Sequence, residues 1–222
     1  MRCIWCERET TLCESAETDD VRYANLEHIF PVAVGGKRGL KLGEVCRDCN
    51  KKLGAQVDEY LKIGDFSMMY QYQVVDGIPG RVRNAEDRRR KLAEKLHLKH
   101  HSKSGAITRS EDGEEVTISD FFMYEHDAMF VRALHKCLAN SIVNAHGGEQ
   151  FIAQHQLLKK YILGKAAEDH NDWAVGLAYA NMSERMNFEP FCGGLFSDDA
   201  GRVIAGVLVF PSLLAVVGAF QM

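Results

Sequence analysis

Two pairs of cysteines are the residues whose types and spacing point most directly to chemistry. Cys3 and Cys6 form one Cys-x-x-Cys pair, and Cys46 and Cys49 form a second one later in the chain. Each pair places two thiolates on one tight turn, and two such turns supply the four sulfurs of a tetrahedral zinc site. A site closed by four thiolates leaves no position for a substrate, so we expect this zinc to stabilise the fold rather than to catalyse.

A redox dithiol is the alternative interpretation for either pair, but no thioredoxin-like βαβ pattern surrounds them. The N-terminal residues contain no apolar run of signal-peptide length and are rich in acid, which predicts a cytoplasmic protein. In that reducing compartment paired cysteines are more often metal ligands than disulfides. The other three cysteines, Cys13, Cys137 and Cys192, are interpreted as small packing residues.

Polar residues between and directly behind the cysteine pairs suggest a second kind of chemistry. Glu27 and His28 are adjacent in "NLEHIFPVAVGGKRG", and Asn50 follows Cys49 in "CRDCNKKLG". In an extended segment, adjacent side chains point to opposite faces, so a local bend would be needed to bring Glu27 and His28 into one cleft. Taken singly, His28 could be an ordinary surface or core residue, and Asn50 could be only a helix cap.

The order of these elements resembles a known family. The series C-x-x-C, "EHIFP", a Gly-Gly turn and "CRDCN" is similar to the HNH endonucleases of the ββα-metal fold, and especially to their zinc-stabilised branch. The similarity covers residues 3 to about 61. It implies DNA as the substrate, His28 as the general base, and Glu27 and Asn50 as ligands of a catalytic divalent ion, usually magnesium.

These residue types suit phosphodiester hydrolysis. The reaction needs an aligned nucleophile and neutralisation of charge on the phosphoryl oxygens. Magnesium prefers oxygen ligands and keeps several waters, and a histidine of ordinary pKa, about 6.5, can accept a proton at neutral pH. The family's central asparagine on the second strand is missing, because the corresponding stretch reads "LKLGE". The orientation of His28 must therefore come from another group.

Basic residues surround these positions. They lie on the Gly-Gly turn and at the start of the following helix: Lys37, Arg38, Arg47, Lys51 and Lys52. In the functional interpretation these residues contact DNA phosphates. In the alternative interpretation they only keep the domain soluble. A second basic stretch, residues 81–103, holds nine Lys and Arg against three acids. It could follow a phosphate backbone or be a solvated linker.

The remaining pattern predicts an α+β protein. We expect an N-terminal ββα-metal HNH domain with a four-cysteine zinc site over residues 1–61, a basic connection over 62–110, and a mixed α+β C-terminal domain over 111–222. The C-terminal part should hold a hairpin between Ile107 and Ile118, helices over 128–145 and 149–163, and strands over 173–180 and 203–220. Pro211 divides the uncharged residues 203–222 into two strand-length runs, which favours two buried strands over a membrane span.

Charge separates the two halves of the chain. Residues 1–110 carry 20 Lys and Arg against 16 Asp and Glu, whereas residues 111–222 carry 7 against 15. A basic first half suits a nucleic-acid partner. For the acidic second half we expect a role in recognition, in regulation or in the formation of a homodimer. A non-catalytic zinc ribbon that binds nucleic acid or protein is the alternative to the endonuclease, motivated by the missing asparagine and the overall net charge of −4.

Overall fold

The computed structural model describes residues 2–9, 26–31, 34, 36, 41–61, 107–109, 116–118, 128–165, 173–179, 191–210 and 213–221. The basic stretch 81–103 lies outside these residues, as do residues 66–80, whose sequence predicts an extended segment ending in a Gly/Pro turn. So do Cys13, Lys37 and Arg38. The predicted boundary at residue 110 also falls outside, and the division into three parts stays a prediction.

The N-terminal part consists of two very short strands followed by a helical run. β1 (Glu27–His28) pairs antiparallel with β2 (Lys41–Leu42), with Glu27 opposite Leu42 and His28 opposite Lys41. α1 (Arg47–Leu53) continues through a π-helical turn (Gly54–Asp58) into α2 (Glu59–Leu61). The sequence places Leu53, Val57, Tyr60 and Leu61 at a helical period after Cys49. In the run Leu53, Val57 and Leu61 are buried and Tyr60 is half-buried.

A close backbone approach shapes the turn between β1 and β2. The amide of Gly36 donates to the carbonyl of Pro31 at 3.1 Å. A Cβ at Gly36 would lie 2.6 Å from the carbonyl carbon of Phe30 and would clash with its oxygen. The second glycine of the Gly-Gly turn is therefore required by space, since any side chain would push the turn away from β1.

The described residues of the C-terminal part form the predicted hairpin, three helices and a four-stranded sheet. β3 (Ile107–Arg109) pairs antiparallel with β4 (Val116–Ile118), and Ile107 lies opposite Ile118. The helices are α3 (Ala128–His146), α4 (Gly148–Gln154) and α5 (Gln156–Ile162). The sheet holds β5 (Trp173–Tyr179), β6 (Phe191–Ser197), β7 (Val203–Phe210) and β8 (Leu213–Gln221), all antiparallel, in the order β5-β8-β7-β6.

Most of these elements match the sequence prediction, and the α+β class is confirmed. Residues 203–221 form two paired strands rather than a helix. Within the described residues, no helix is both long and apolar enough to cross a membrane. The single helix predicted over 149–163 is instead α4 and α5, because His155 leaves the helical conformation and stacks on the ring of Phe151.

Helix α3 lies at the centre of the described structure. Nearly every residue from Phe130 to Val143 is buried, because α3 packs on the sheet and also on the N-terminal helical run. The two parts share one apolar cluster, in which Trp5 meets Phe151 edge to face at 5.9 Å and Phe30 meets Phe210 at 5.6 Å. The short strands of the N-terminal part are thus supported by residues more than 100 positions later in the chain.

Candidate functional site

The four cysteines predicted as zinc ligands lie together. The sulfur atoms of Cys3, Cys6, Cys46 and Cys49 are all within 4.8 Å of one another. Cys3 and Cys46 are buried, whereas Cys6 and Cys49 are half-buried. Four sulfur donors on two turns suit zinc, which takes four thiolates in structural sites. The cluster supports the prediction of a structural zinc site.

Backbone hydrogen bonds hold the two turns against each other. The amide of Cys46 donates to the sulfur of Cys3 at 3.4 Å, and the amide of Ile4 donates to the carbonyl of Glu44 at 2.9 Å. The backbone amide of Asn50 donates to the carbonyl of Cys46 at 3.0 Å, in the first turn of α1. The second cysteine turn therefore fixes where α1 begins and places Asn50 one turn into it.

The thiols differ in acidity. Burial raises the pKa of Cys3 and Cys49, and the neighbouring sulfurs raise that of Cys49 further. Burial also acts to raise the pKa of Cys6, but hydrogen bonds from Arg8, Cys3 and Cys46 together lower it to about 6. Because zinc binds thiolates, loading this cluster must release protons, and zinc affinity should fall as the pH falls.

Glu27 and His28 lie on opposite faces of β1, as their adjacency predicts. Glu27 is 2% exposed and points into the protein. His28 is half-buried on the other face, opposite Lys41 of β2. The two side chains therefore do not share one face of the strand.

The Glu27 carboxylate lies in a buried polar group with residues from two helical elements. We call this group the Glu27 cluster: Glu27, Asp58, Lys136 and Asn140. The Nζ atom of Lys136 donates to Oε1 of Glu27 at 2.7 Å and to both carboxylate oxygens of Asp58 at 2.7 Å. Nδ2 of Asn140 donates to the same Oε1 at 3.1 Å. Lys136 is 1% exposed, so water contributes little to its solvation.

The cluster holds more acidic than basic groups, because one ammonium group pairs with two carboxylates. Burial lowers the pKa of Lys136, but Asp58 and Glu27 raise it by more, so the amine stays protonated. Burial raises the pKa of the Glu27 carboxyl, against the lowering effect of Lys136. Both directions follow from an excess negative charge in a place that water does not reach.

Two oxygen atoms of the cluster remain without a hydrogen bond from the described residues. They are Oε2 of Glu27 and Oδ1 of Asn140, and both are buried. A buried acceptor without a partner costs about 1–3 kcal/mol. Such atoms call for a water molecule or a cation.

The other predicted site residues lie on the exposed side of α1. Asn50 is half-buried, whereas Arg47, Lys51 and Lys52 are exposed. Asn50 and these three basic residues thus lie within six consecutive positions of one helix, close behind the second cysteine turn. Their assignment to metal and DNA stays a prediction.

Comparison with protein families supports the resemblance seen in the sequence. Residues 3–63 match the family model of the HNH endonucleases. The predicted resemblance is confirmed for this segment, which covers the two cysteine turns, β1, β2 and the helical run. It supports a nuclease-type function and a nucleic-acid partner in general. No curated protein and no solved structure matches the chain.

Sequence reasoning did not find three of the four members of the Glu27 cluster. The sequence of α3 places Phe130, Leu134, Leu138 and Ile142 on one apolar face, and Lys136 and Asn140 stand off that face. In the structure their side is buried too, because the N-terminal helical run and β2 pack against it. The available signal was a lysine and an asparagine four positions apart, a spacing that places both on one face of a helix.

Substituting Cys49 with Ser should remove zinc and unfold the N-terminal part. We expect the zinc content to fall from one ion per chain, with a loss of the near-ultraviolet signal of buried Trp5. The control is C192S, because Cys192 is half-buried in β6, does not belong to the four-cysteine cluster, and donates its thiol to the carbonyl of Gly194 at 3.5 Å. Equal zinc content in C49S and C192S, measured by elemental analysis, would contradict a four-cysteine site.

Substituting Lys136 with Met should destabilise the fold by about 3–5 kcal/mol at pH 7.5, because two carboxylates lose their buried counter-charge. The raised pKa of Glu27 sets the sign of the pH effect: protonation relieves the charge, so the loss shrinks as the pH falls toward 5.5. Urea unfolding at both pH values measures this. K160M removes an exposed lysine of α5 and should change stability by less than about 0.5 kcal/mol. Equal stability of K136M and K160M would show that the ion pair contributes nothing.

Proposed function

We propose that this protein is a metal-dependent HNH endonuclease that hydrolyses phosphodiester bonds in DNA. The observation that carries the proposal is the family match over residues 3–63, which spans the Glu27-His28 strand and the helix of Asn50. His28 is the general base. It is half-buried rather than fully enclosed, so a water molecule and a phosphate can reach it.

Glu27 and Asn50 are the proposed protein ligands of the divalent ion. Both supply oxygen atoms, the donors that magnesium prefers. Oε2 of Glu27 accepts no hydrogen bond from the described residues, which suits a cation ligand, while Oε1 is held by Lys136 and Asn140. Once bound, the ion would neutralise charge on the scissile phosphate.

The chain's own residues then have separate tasks. His28 accepts the proton of the attacking water, on the face of β1 opposite to Glu27. Arg47, Lys51 and Lys52 are exposed on α1 and contact backbone phosphates, which gives affinity without sequence preference. Lys37 and Arg38 are proposed for the same role from the sequence alone. The sequence is also the only basis for proposing a cytoplasmic location and a homodimer formed through the C-terminal part.

A non-catalytic zinc module that binds nucleic acid or protein is the second candidate, and the burial of Glu27 favours it. A carboxylate that is 2% exposed and already paired with an ammonium group has a sufficient structural role. In this candidate the ion pair is the whole function of Glu27. Binding would occur without cleavage.

Cleavage of supercoiled DNA tests the endonuclease. The wild type should cut in magnesium, manganese or nickel, and H28A should lower the rate by about 100-fold or more while keeping its zinc, because a general base contributes that much. H146A is the control, since His146 is exposed at the end of α3. The proposal fails if the wild type cuts in none of these ions or if H28A cuts as fast as H146A.

Paired variants of the two carboxylates that share Lys136 separate the candidates. E27Q and D58N each remove one negative charge beside the same ammonium group. If Glu27 is a metal ligand, E27Q should raise the magnesium concentration for half-maximal cleavage by about tenfold or more, whereas D58N, which leaves both proposed ligands in place, should raise it by less. Equal magnesium dependence in the two variants would assign Glu27 a structural role only.

A further inference from the structure

Asn140 of α3 contacts the backbone of the strand that carries His28. Its Nδ2 atom donates to the carbonyl of His28 at 3.0 Å and lies 3.5 Å from the carbonyl of Ile29, besides its bond to Oε1 of Glu27. One amide group thus contacts three consecutive residues at the end of β1. Asn140 is 1% exposed, so water does not compete strongly for these bonds.

Lys136 lies one turn before Asn140 on the same face of α3 and connects two other parts of the site. It bridges Glu27, next to His28, and Asp58, at the end of the π-helical turn that follows α1. The strand with His28 and the helical run with Asn50 are therefore joined through one ammonium group. This bridge limits how far the two can move relative to each other.

The strand needs such support because its own pairing is short. β1 and β2 pair at only two positions, and an isolated two-stranded hairpin is marginal in water. The sequence also lacks the asparagine that would shape this turn from the second strand. Asn140 supplies an amide to the His28 backbone from a helix more than 100 residues later in the chain.

We propose that Asn140 and Lys136 are positioning residues for the nuclease site, so that the site is incomplete without helix α3. The inference rests on the proposed function, since it assigns these residues a role in orienting His28 and Glu27. Neither residue touches substrate in this proposal. Asn140 sets the backbone from which the imidazole projects, and Lys136 sets the distance between that backbone and the helical run.

A purely structural role is the alternative, because any buried hydrogen-bonded group stabilises the fold. The two roles differ in what they change. A structural role alters stability alone, whereas a positioning role alters the rate constant of the folded enzyme and the environment of the His28 ring. Tests must therefore be made on folded protein.

The variant N140D tests the proposal, because it keeps the shape of the side chain and removes the donor. We expect kcat to fall by about tenfold or more with KM within about twofold and zinc retained, as loss of a supporting hydrogen bond around a site does. S141A is the control, because Ser141 is the next residue, is buried, and donates its hydroxyl to the backbone carbonyl of Cys137 within its own helix. A kcat of N140D equal to that of S141A would overturn the proposal.

Nuclear magnetic resonance of the His28 imidazole provides a readout that does not require cleavage. The His28 signal is assigned by its loss in H28A and is then titrated with pH in the wild type, N140S and S141A. N140S shortens the side chain without adding a charge, so a change in the signal cannot come from a new carboxylate beside the strand. We expect the titration midpoint or line width to change in N140S and not in S141A. An unchanged His28 signal in folded N140S overturns the positioning role even if the wild type cuts DNA.

The two readouts also separate the two proposals. If the wild type does not cut DNA but the His28 signal responds to N140S and not to S141A, Asn140 positions His28 and the endonuclease proposal fails. If N140D does not fold, kcat and zinc content are measured on N140S instead. For Lys136, kcat of folded K136M should fall by about tenfold or more with zinc retained, and a kcat equal to that of K160M would overturn its positioning role.

Discussion

The buried ammonium group of Lys136 is the interaction on which the described structure depends. A charge with so little access to water is stable only where opposite charges meet it. Here those charges come from Glu27 on β1 and Asp58 in the π-helical turn, so the strand, the helical run and α3 must come together in one arrangement. Such a cluster adds specificity more than stability, because apolar residues of the same size would cost less to bury.

The four-cysteine cluster holds the start of the helical run, and the Glu27 cluster holds its later part. Cys46 directly precedes α1, and Asp58 ends the π-helical turn. Asn50 lies between these two fixed points. A helical run held at both ends can keep a side chain in place even though the strands beside it are only two residues long.

The sequence predicted what depends on local spacing. The cysteine pairs, the period of Leu53 and Val57, and the two runs separated by Pro211 each carry a signal within a few residues, and each is found as predicted. The partners of Glu27 could not be predicted in this way, because no local pattern shows which distant helix will cover β1. Lys136 and Asn140 resembled the solvent side of an amphipathic helix, and only the packing of the HNH segment on that side reveals their role. The break between α4 and α5 at His155 was also missed, because the apolar period of the sequence continues across it. In the structure His155 leaves the helical conformation and stacks on Phe151.

The separation between Glu27 and Lys136 also orders events in time. Lys136 follows Glu27 by 109 residues, so it leaves the ribosome long after the cysteine turns and β1 have been made. Chains are synthesised from the N-terminus, and early parts begin to fold before later ones exist. For the proposed nuclease, the pairing of Glu27 thus waits until α3 has been translated. A chain that ended before α3 would lack the bonds that Lys136 and Asn140 make to β1, and with them the support that the complete chain gives to this strand.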